Sequence, residues 1–257
     1  MKQAAHEFLQ SSRWLASLLD LLYPPHCVAC RCAGAWLCER CLDSIPTFVP
    51  PLCQHCGRPL PATRGPTQAL CPICQQQHSP LQGVRSVGPH LAPLREAIHA
   101  FKYEGVRVLA GPLGQLLART WQQSSMPVDI VLPVPLHRAR IRQRGYNQSL
   151  LLARAMGAEV GLLVREDALV RRRNTRAQVG LSPEQRRANV RDAFICPTSD
   201  MQGQRVLLID DVLTTGATLE SCAMALLQAG AREVWALTLT RAVDIADDQP
   251  RKGQSLG

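Results

Sequence analysis

The sequence predicts an α/β protein in two parts, a small cysteine-rich module followed by a larger domain built on a parallel sheet. Three observations predict it. Nine of the eleven cysteines lie between Cys27 and Cys74, and short apolar strands alternate with helical segments from residue 84 onward. One of those strands runs straight into an acidic pair and a small, hydroxyl-rich loop. The 257 residues suffice for two domains at roughly 100–200 residues each. With 46% apolar and 19% charged residues, there is material for a core and no case for global disorder. No apolar run approaches the roughly 18 residues that a membrane span needs, so no membrane span is expected.

Residues 4–22 place Phe8, Leu15, Leu18, Leu19 and Leu22 near helical spacing, which predicts an N-terminal amphipathic helix within residues 1–22 that packs on the body of the protein. Asp20 breaks the apolar patch and no small-residue cleavage site follows, so an export signal is not expected. The expected compartment is therefore the reducing cytoplasm, where clustered thiols bind metal instead of forming disulfides.

Residues 23–80 form the cysteine module. Four pairs share the C-x-x-C spacing: Cys27/Cys30, Cys38/Cys41, Cys53/Cys56 and Cys71/Cys74. That spacing makes a tight turn in which two thiolates face one tetrahedral ion. Seven residues separate the first two pairs and fourteen the second two, and Gly57 supplies a permissive backbone after Cys56. Two structural Zn2+ ions, each with four cysteine ligands, are expected, and a full set of four thiolates leaves no open position for catalysis. Consecutive pairing and a cross-braced arrangement both satisfy the spacing. Cys32 is the odd thiol, and His26, His55 and His78 are possible substitute ligands. Closely spaced prolines suit short loops and ribbons, with the boundary near residues 78–84.

Residues 81–243 read as the α/β domain. Leu94, Ala97, Ile98 and Phe101 mark a helix ending near Lys102 and Gly105. Ile130–Val134 is a short strand, followed by a helix over Asn147–Met156 that Gly157 closes. Val206–Ile209 is a second strand, Thr218–Gln228 a helix with Gly230 beyond its end, and Val234–Leu239 a third strand. Strand, helix and strand at these lengths predict parallel pairing through a right-handed crossover. Residues 244–257 read as a flexible tail.

The net charge of +9 is localised. Residues 137–191 carry 13 Arg against 4 acidic residues, which accounts for all of it. Anionic partners are implied, and arginine favours forked contacts to phosphate.

The stretch from Val206 to Thr218 carries the chemistry. Asp210 and Asp211 end an apolar strand, where open α/β sheets bind ligands. Backbone N–H groups of the following loop, with the helix N-terminus, cradle a phosphate. Thr214, Thr215 and Thr218 add hydroxyls, and Gly216 permits close approach. The paired carboxylates suit vicinal ribose hydroxyls, directly or through Mg2+.

This stretch resembles the signature for 5-phosphoribosyl 1-pyrophosphate (PRPP) of type I phosphoribosyltransferases. Y-P-P-x-C-x-x-C from Tyr23, P-V-P-L from Pro133, R-G-Y-N-Q from Arg144, R-R-x-N-V from Arg186 and L-T-R from Leu239 together resemble the ComF (competence protein F) family, over about residues 22–242. The resemblance implies the fold class in full: a parallel-sheet, Rossmann-like phosphoribosyltransferase domain preceded by a double zinc ribbon. It implies that Asp210 and Asp211 hold the ribose hydroxyls of PRPP and that Thr214, Thr215, Gly216, Ala217 and Thr218 wrap its 5′-phosphate. Pro135, Leu136 and His137 would receive pyrophosphate, with Arg144 as an anion contact. Arg171, Arg172, Arg173, Arg176 and Gln178 fall where a mobile loop covers the reacting centre. Lys102 is a weaker candidate beside the reading of a solvated helix end.

The function implied is a PRPP-binding phosphoribosyltransferase acting in competence and the use of imported single-stranded DNA, with competence or DNA-processing proteins as partners. The alternative is a non-catalytic nucleic-acid-binding or regulatory adaptor that senses PRPP. Aromatic residues are only 4%, so base-stacking platforms are scarce, and Tyr146 is the best placed of them. No segment reads as a hood for an acceptor base.

Overall fold

The computed structural model describes residues 24–61, 69–175, 182–197 and 201–242. The expected N-terminal helix, Arg176, Gln178 and the tail lie outside the described residues.

The cysteine module repeats one small plan twice. The chain makes a knuckle closed by a single bridge, His26 to Ala33 in the first copy and Leu52 to Pro59 in the second. A one-turn helix then starts at a cysteine: α1 (Glu39–Asp43) follows Cys38 and α2 (Pro72–Gln76) follows Cys71. Each helix thereby carries the second thiol of its pair, Cys41 or Cys74, back toward the knuckle.

Five parallel strands form the main sheet: β1 (Gly83–Pro89), β2 (Ile130–Pro133), β3 (Leu163–Val164), β6 (Arg205–Leu213) and β7 (Glu233–Arg241), in the order β1-β7-β6-β2-β3. Two short strands, β4 (Val170–Arg171) and β5 (Phe194–Ile195), form an antiparallel pair beside it. The helices are α3 (Leu94–Tyr103), α4 (Ala110–Gln122), α5 (Arg138–Arg144), α6 (Gln148–Val160), α7 (Pro183–Val190) and α8 (Ala217–Gln228).

A central strand covered on both faces is apolar along the covered stretch, and β6 is apolar and buried from Val206 to Ile209. Leu207 and Ile209 face α3, α4 and α6, packing with Phe101, Leu113 and Leu152. Val206 and Leu208 face the other way, against Leu219, Ala223 and Leu226 of α8. The first ribbon joins the former core through Val28, Leu37, Cys41 and Ile45.

Two boundaries differ from the sequence expectation for physical reasons. Gly157 lies within α6; a Cβ there would stand 2.6 Å from Val164 Cγ2, so the glycine serves close helix–strand packing. The helix stops at Gly161, in the left-handed region at φ 73°. Strand β6 runs through the acidic pair to Leu213, because β7 continues alongside and pairs Asp210 with Thr238 and Val212 with Thr240.

Candidate functional site

The carboxyl ends of β1, β2 and β6 open into a cleft of about 540 Å3. Its floor is the acidic pair. Asp211 is almost fully buried, and its Oδ1 accepts an ion pair from Lys102 Nζ at 2.8 Å. Asp210 Oδ1 accepts from Ser149 Oγ and from the Asp211 backbone N–H, both at 2.9 Å. Burial pushes the Asp210 carboxyl up to about 7, the Asp211 charge adds to that, and Lys102 opposes it. Two adjacent carboxylates are tolerated in this setting because α3 delivers a half-buried cation against them. Lys102 thus belongs to the site and not to a solvated helix end.

The loop that the resemblance assigns to the 5′-phosphate turns directly into α8. Gly216 takes φ 84° as the residue preceding α8, and Thr215 Oγ1 accepts from Ala217 N–H at 3.5 Å. Thr214, Gly216 and Thr218 line the cleft, while Ala217 is buried as the first helical residue. A left-handed residue turning into a helix N-terminus aims successive N–H groups at one point.

The opposite wall comes from the loop after β2 and from α5. Leu136 lines the cleft. His137 serves locally, its Nδ1 accepting from Ala139 N–H at 3.2 Å to cap α5. Pro135 is not among the residues that line the cleft. Arg140 and Arg144 project inward from α5, and Arg144 also donates to Gln148 Oε1 and stands over the Tyr103 ring at 5.4 Å.

The arginine cluster divides. Arg171 enters the cleft, donates to Thr175 Oγ1 and stacks over Phe194 at 5.3 Å. Its Nε is buried without a hydrogen-bond partner, and desolvation lowers its guanidinium from the usual range. Arg172 and Arg173 are exposed and donate to the carbonyls of Asp192 and Arg191, at 3.1 and 2.7 Å. Of the contiguous three, only Arg171 reaches the cleft.

Tyr146 is not a stacking platform. It is 8% exposed, its hydroxyl donates to the Phe101 carbonyl, and its ring lies beneath the Arg107 guanidinium. Sequence reasoning also missed His90, Arg95 and Arg140, which line the same cleft. His90 Nδ1 shares a hydrogen with Thr240 Oγ1 at 2.8 Å, and burial, with Lys102 and Arg95 nearby, lowers its pKa. An edge-strand loop gives no local signal of such a role.

A divalent cation suits this donor set. Asp211 Oδ2 is buried and has no hydrogen-bond partner, so a carboxylate oxygen points inward with its lone pairs unspent.

The ribbons hold two groups of thiols. Sγ atoms of Cys53, Cys56, Cys71 and Cys74 lie within 4.8 Å of one another, which is consecutive pairing. In the other group the mutual set is Cys27, Cys30, Cys32 and Cys38. The expected partition and the observed one differ in a single thiol: Cys32 stands in the set, and Cys41 lies beside it, touching the thiols of Cys30, Cys38 and Cys27. His55 is turned to the Leu81 carbonyl through Nε2 at 2.7 Å, with Nδ1 3.6 Å from Cys74 Sγ. It therefore supports the second group from outside.

No helix among the described residues is long and apolar enough to cross a membrane. Family models match twice, a double zinc ribbon domain over residues 18–75 and a phosphoribosyl transferase domain over residues 147–252. The chain is 31% identical to "Competence protein F" of Haemophilus influenzae, over 84% of this chain and 96% of that one. It is 34% identical to "DNA utilization protein YhgH" of Escherichia coli O157:H7, covering 86% and 99%. It is 27% identical to "Competence protein ComFC" of Bacillus subtilis, covering 91% and 92%.

Proposed function

The chain belongs to the competence protein F family, and on that premise we propose that it binds PRPP in the cleft and acts as a phosphoribosyltransferase in the use of imported single-stranded DNA. One observation carries the reading: the Asp210–Asp211 pair, the Thr214–Thr218 cradle and five cations (Arg95, Lys102, Arg140, Arg144 and Arg171) converge on one cleft. Strand-end carboxylates take ribose hydroxyls, the helix N-terminus takes the 5′-phosphate, and Arg140 and Arg144 face the pyrophosphate.

Phosphoribosyl transfer breaks the bond from C1 of the ribose to pyrophosphate, leaving positive charge on the ring and negative charge on the departing group. Fixed cations at the leaving group and carboxylates beneath the ring match that distribution. Mg2+ bound with the substrate, held by Asp210 and Asp211, would neutralise part of the pyrophosphate charge. Arg171, on the short β4–β5 pair, closes the far side of the cleft and reduces water access to C1.

The names of the relatives support a role with DNA, and the exposed Arg138, Arg142, Arg172 and Arg173 are free of the cleft to meet phosphates. This contact would weaken with salt in proportion to the phosphates neutralised. The cytoplasm is the compartment this reading requires.

Calorimetric titration with Mg2+ and PRPP tests the central claim. Wild type should bind, and Asp211→Asn should lose at least about tenfold in affinity, since it removes a charge that Lys102 and the ligand share. Pyrophosphate release in the presence of an acceptor should fall further in that variant. Equal PRPP affinity in wild type and Asp211→Asn would reject the assignment.

A further inference from the structure

The second ribbon presents four thiols for four coordination positions, whereas the first presents five. Zinc in such a site takes four thiolates at tetrahedral corners, so one thiol of the first group is surplus. Cys30 Sγ lies 3.3 Å from Cys32 Sγ and 3.6 Å from Cys38 Sγ. The local backbone explains why Cys32 is there. Arg31 adopts φ 65°, outside the usual region for a side-chain-bearing residue, and Cys27 N–H donates to the Cys32 carbonyl at 2.8 Å. The knuckle thereby folds Cys32 back over Cys27 and Cys30 instead of leading it away. Cys41, buried on α1, lies against the thiols of Cys30, Cys38 and Cys27. Cys27, Cys30 and Cys38 are common to both possible quartets.

We propose that Cys27, Cys30 and Cys38 bind the first zinc permanently, and that Cys32 and Cys41 alternate at its fourth position. In the exchange one Zn–S bond forms at Cys32 as the bond at Cys41 breaks, and the proton that leaves the Cys32 thiol passes to Cys41. No oxidant or reductant takes part. The first ribbon is then a site with a built-in spare ligand, half-exposed on one side and buried on the other, and the second ribbon has none.

Zinc content of reductively purified full-length protein tests this, using wild type, Cys32→Ser, Cys41→Ser and the double variant. Wild type and both single variants should hold about two zinc ions per chain, and the double variant about one, since the second ribbon is untouched. Cobalt replacement gives a second readout. Both single variants should keep thiolate-to-cobalt charge-transfer absorption equal to wild type, showing four sulfur ligands at each site. A Cys41→Ala variant repeats the measurement, because Cys41 also packs in the core. Two zinc ions in either Cys41 variant support the proposal, and one zinc ion in both overturns it. One zinc ion in Cys32→Ser, or two in the double variant, would overturn it as well.

Discussion

The two ribbons share a plan and differ in how they are attached. The first docks by apolar contact: Val28, Leu37, Cys41 and Ile45 join the helix-side core. The second docks through polar backbone. Its His55 carbonyl accepts from Val84 N–H at 2.7 Å, its Gln54 carbonyl from Arg85 at 3.0 Å and its Cys56 carbonyl from Arg241 at 2.5 Å. Apolar contact is tolerant of small shifts, while a hydrogen bond fixes position to within a few tenths of an ångström. The difference teaches where each metal acts. The second zinc would set the placement of β1, whose following loop brings His90 into the cleft, and of the end of β7, whose Thr240 hydrogen-bonds His90. The first zinc holds a cap onto a core that already exists.

The largest expected effect separates these roles. Cys56→Ser should lose about one zinc per chain, lower the melting temperature by roughly 10 °C or more and weaken PRPP binding. Unchanged PRPP affinity after that loss would break the comparison. Ile45→Ala should cost about 3 kcal/mol in denaturant unfolding, as a buried large-to-small change does, while leaving zinc content and PRPP affinity alone. A fall in affinity would show that the first ribbon also positions the cleft. Arg241→Gln, which removes one charge-assisted bond to the second knuckle, should cost about 1.5 kcal/mol and reduce PRPP affinity slightly.

What the sequence made legible was whatever is contiguous. Four C-x-x-C pairs report their own chemistry because each ligand pair is a single turn. The strand, acidic pair and T-T-G-A-T loop are likewise one uninterrupted stretch, so both carboxylates and the cradle could be named. Lys102 could be named only weakly, because its meaning depends on Asp211, which the fold brings to it from the other half of the chain. Tyr146 failed as a stacking platform because its burial is decided by α3, through the Phe101 carbonyl and ring. Cys32 was the odd thiol by spacing, and only the left-handed Arg31 shows where it goes. Gly157 illustrates the same limit, since a glycine that ends a helix and one that admits a neighbouring strand look alike in sequence.

Strand β1 lies at the outer border of the main sheet, and the cysteine module supplies its outward partners: Val84 N–H meets the His55 carbonyl, and the Val87 carbonyl meets Phe48 N–H at 3.1 Å. Chelation of zinc would withdraw those partners and leave a seven-residue strand with unpaired N–H and C=O groups. Such a strand is a template for a second chain. Bound zinc would thus guard against edge-to-edge polymerisation, and the first sign of its loss should be self-association before any loss of helix.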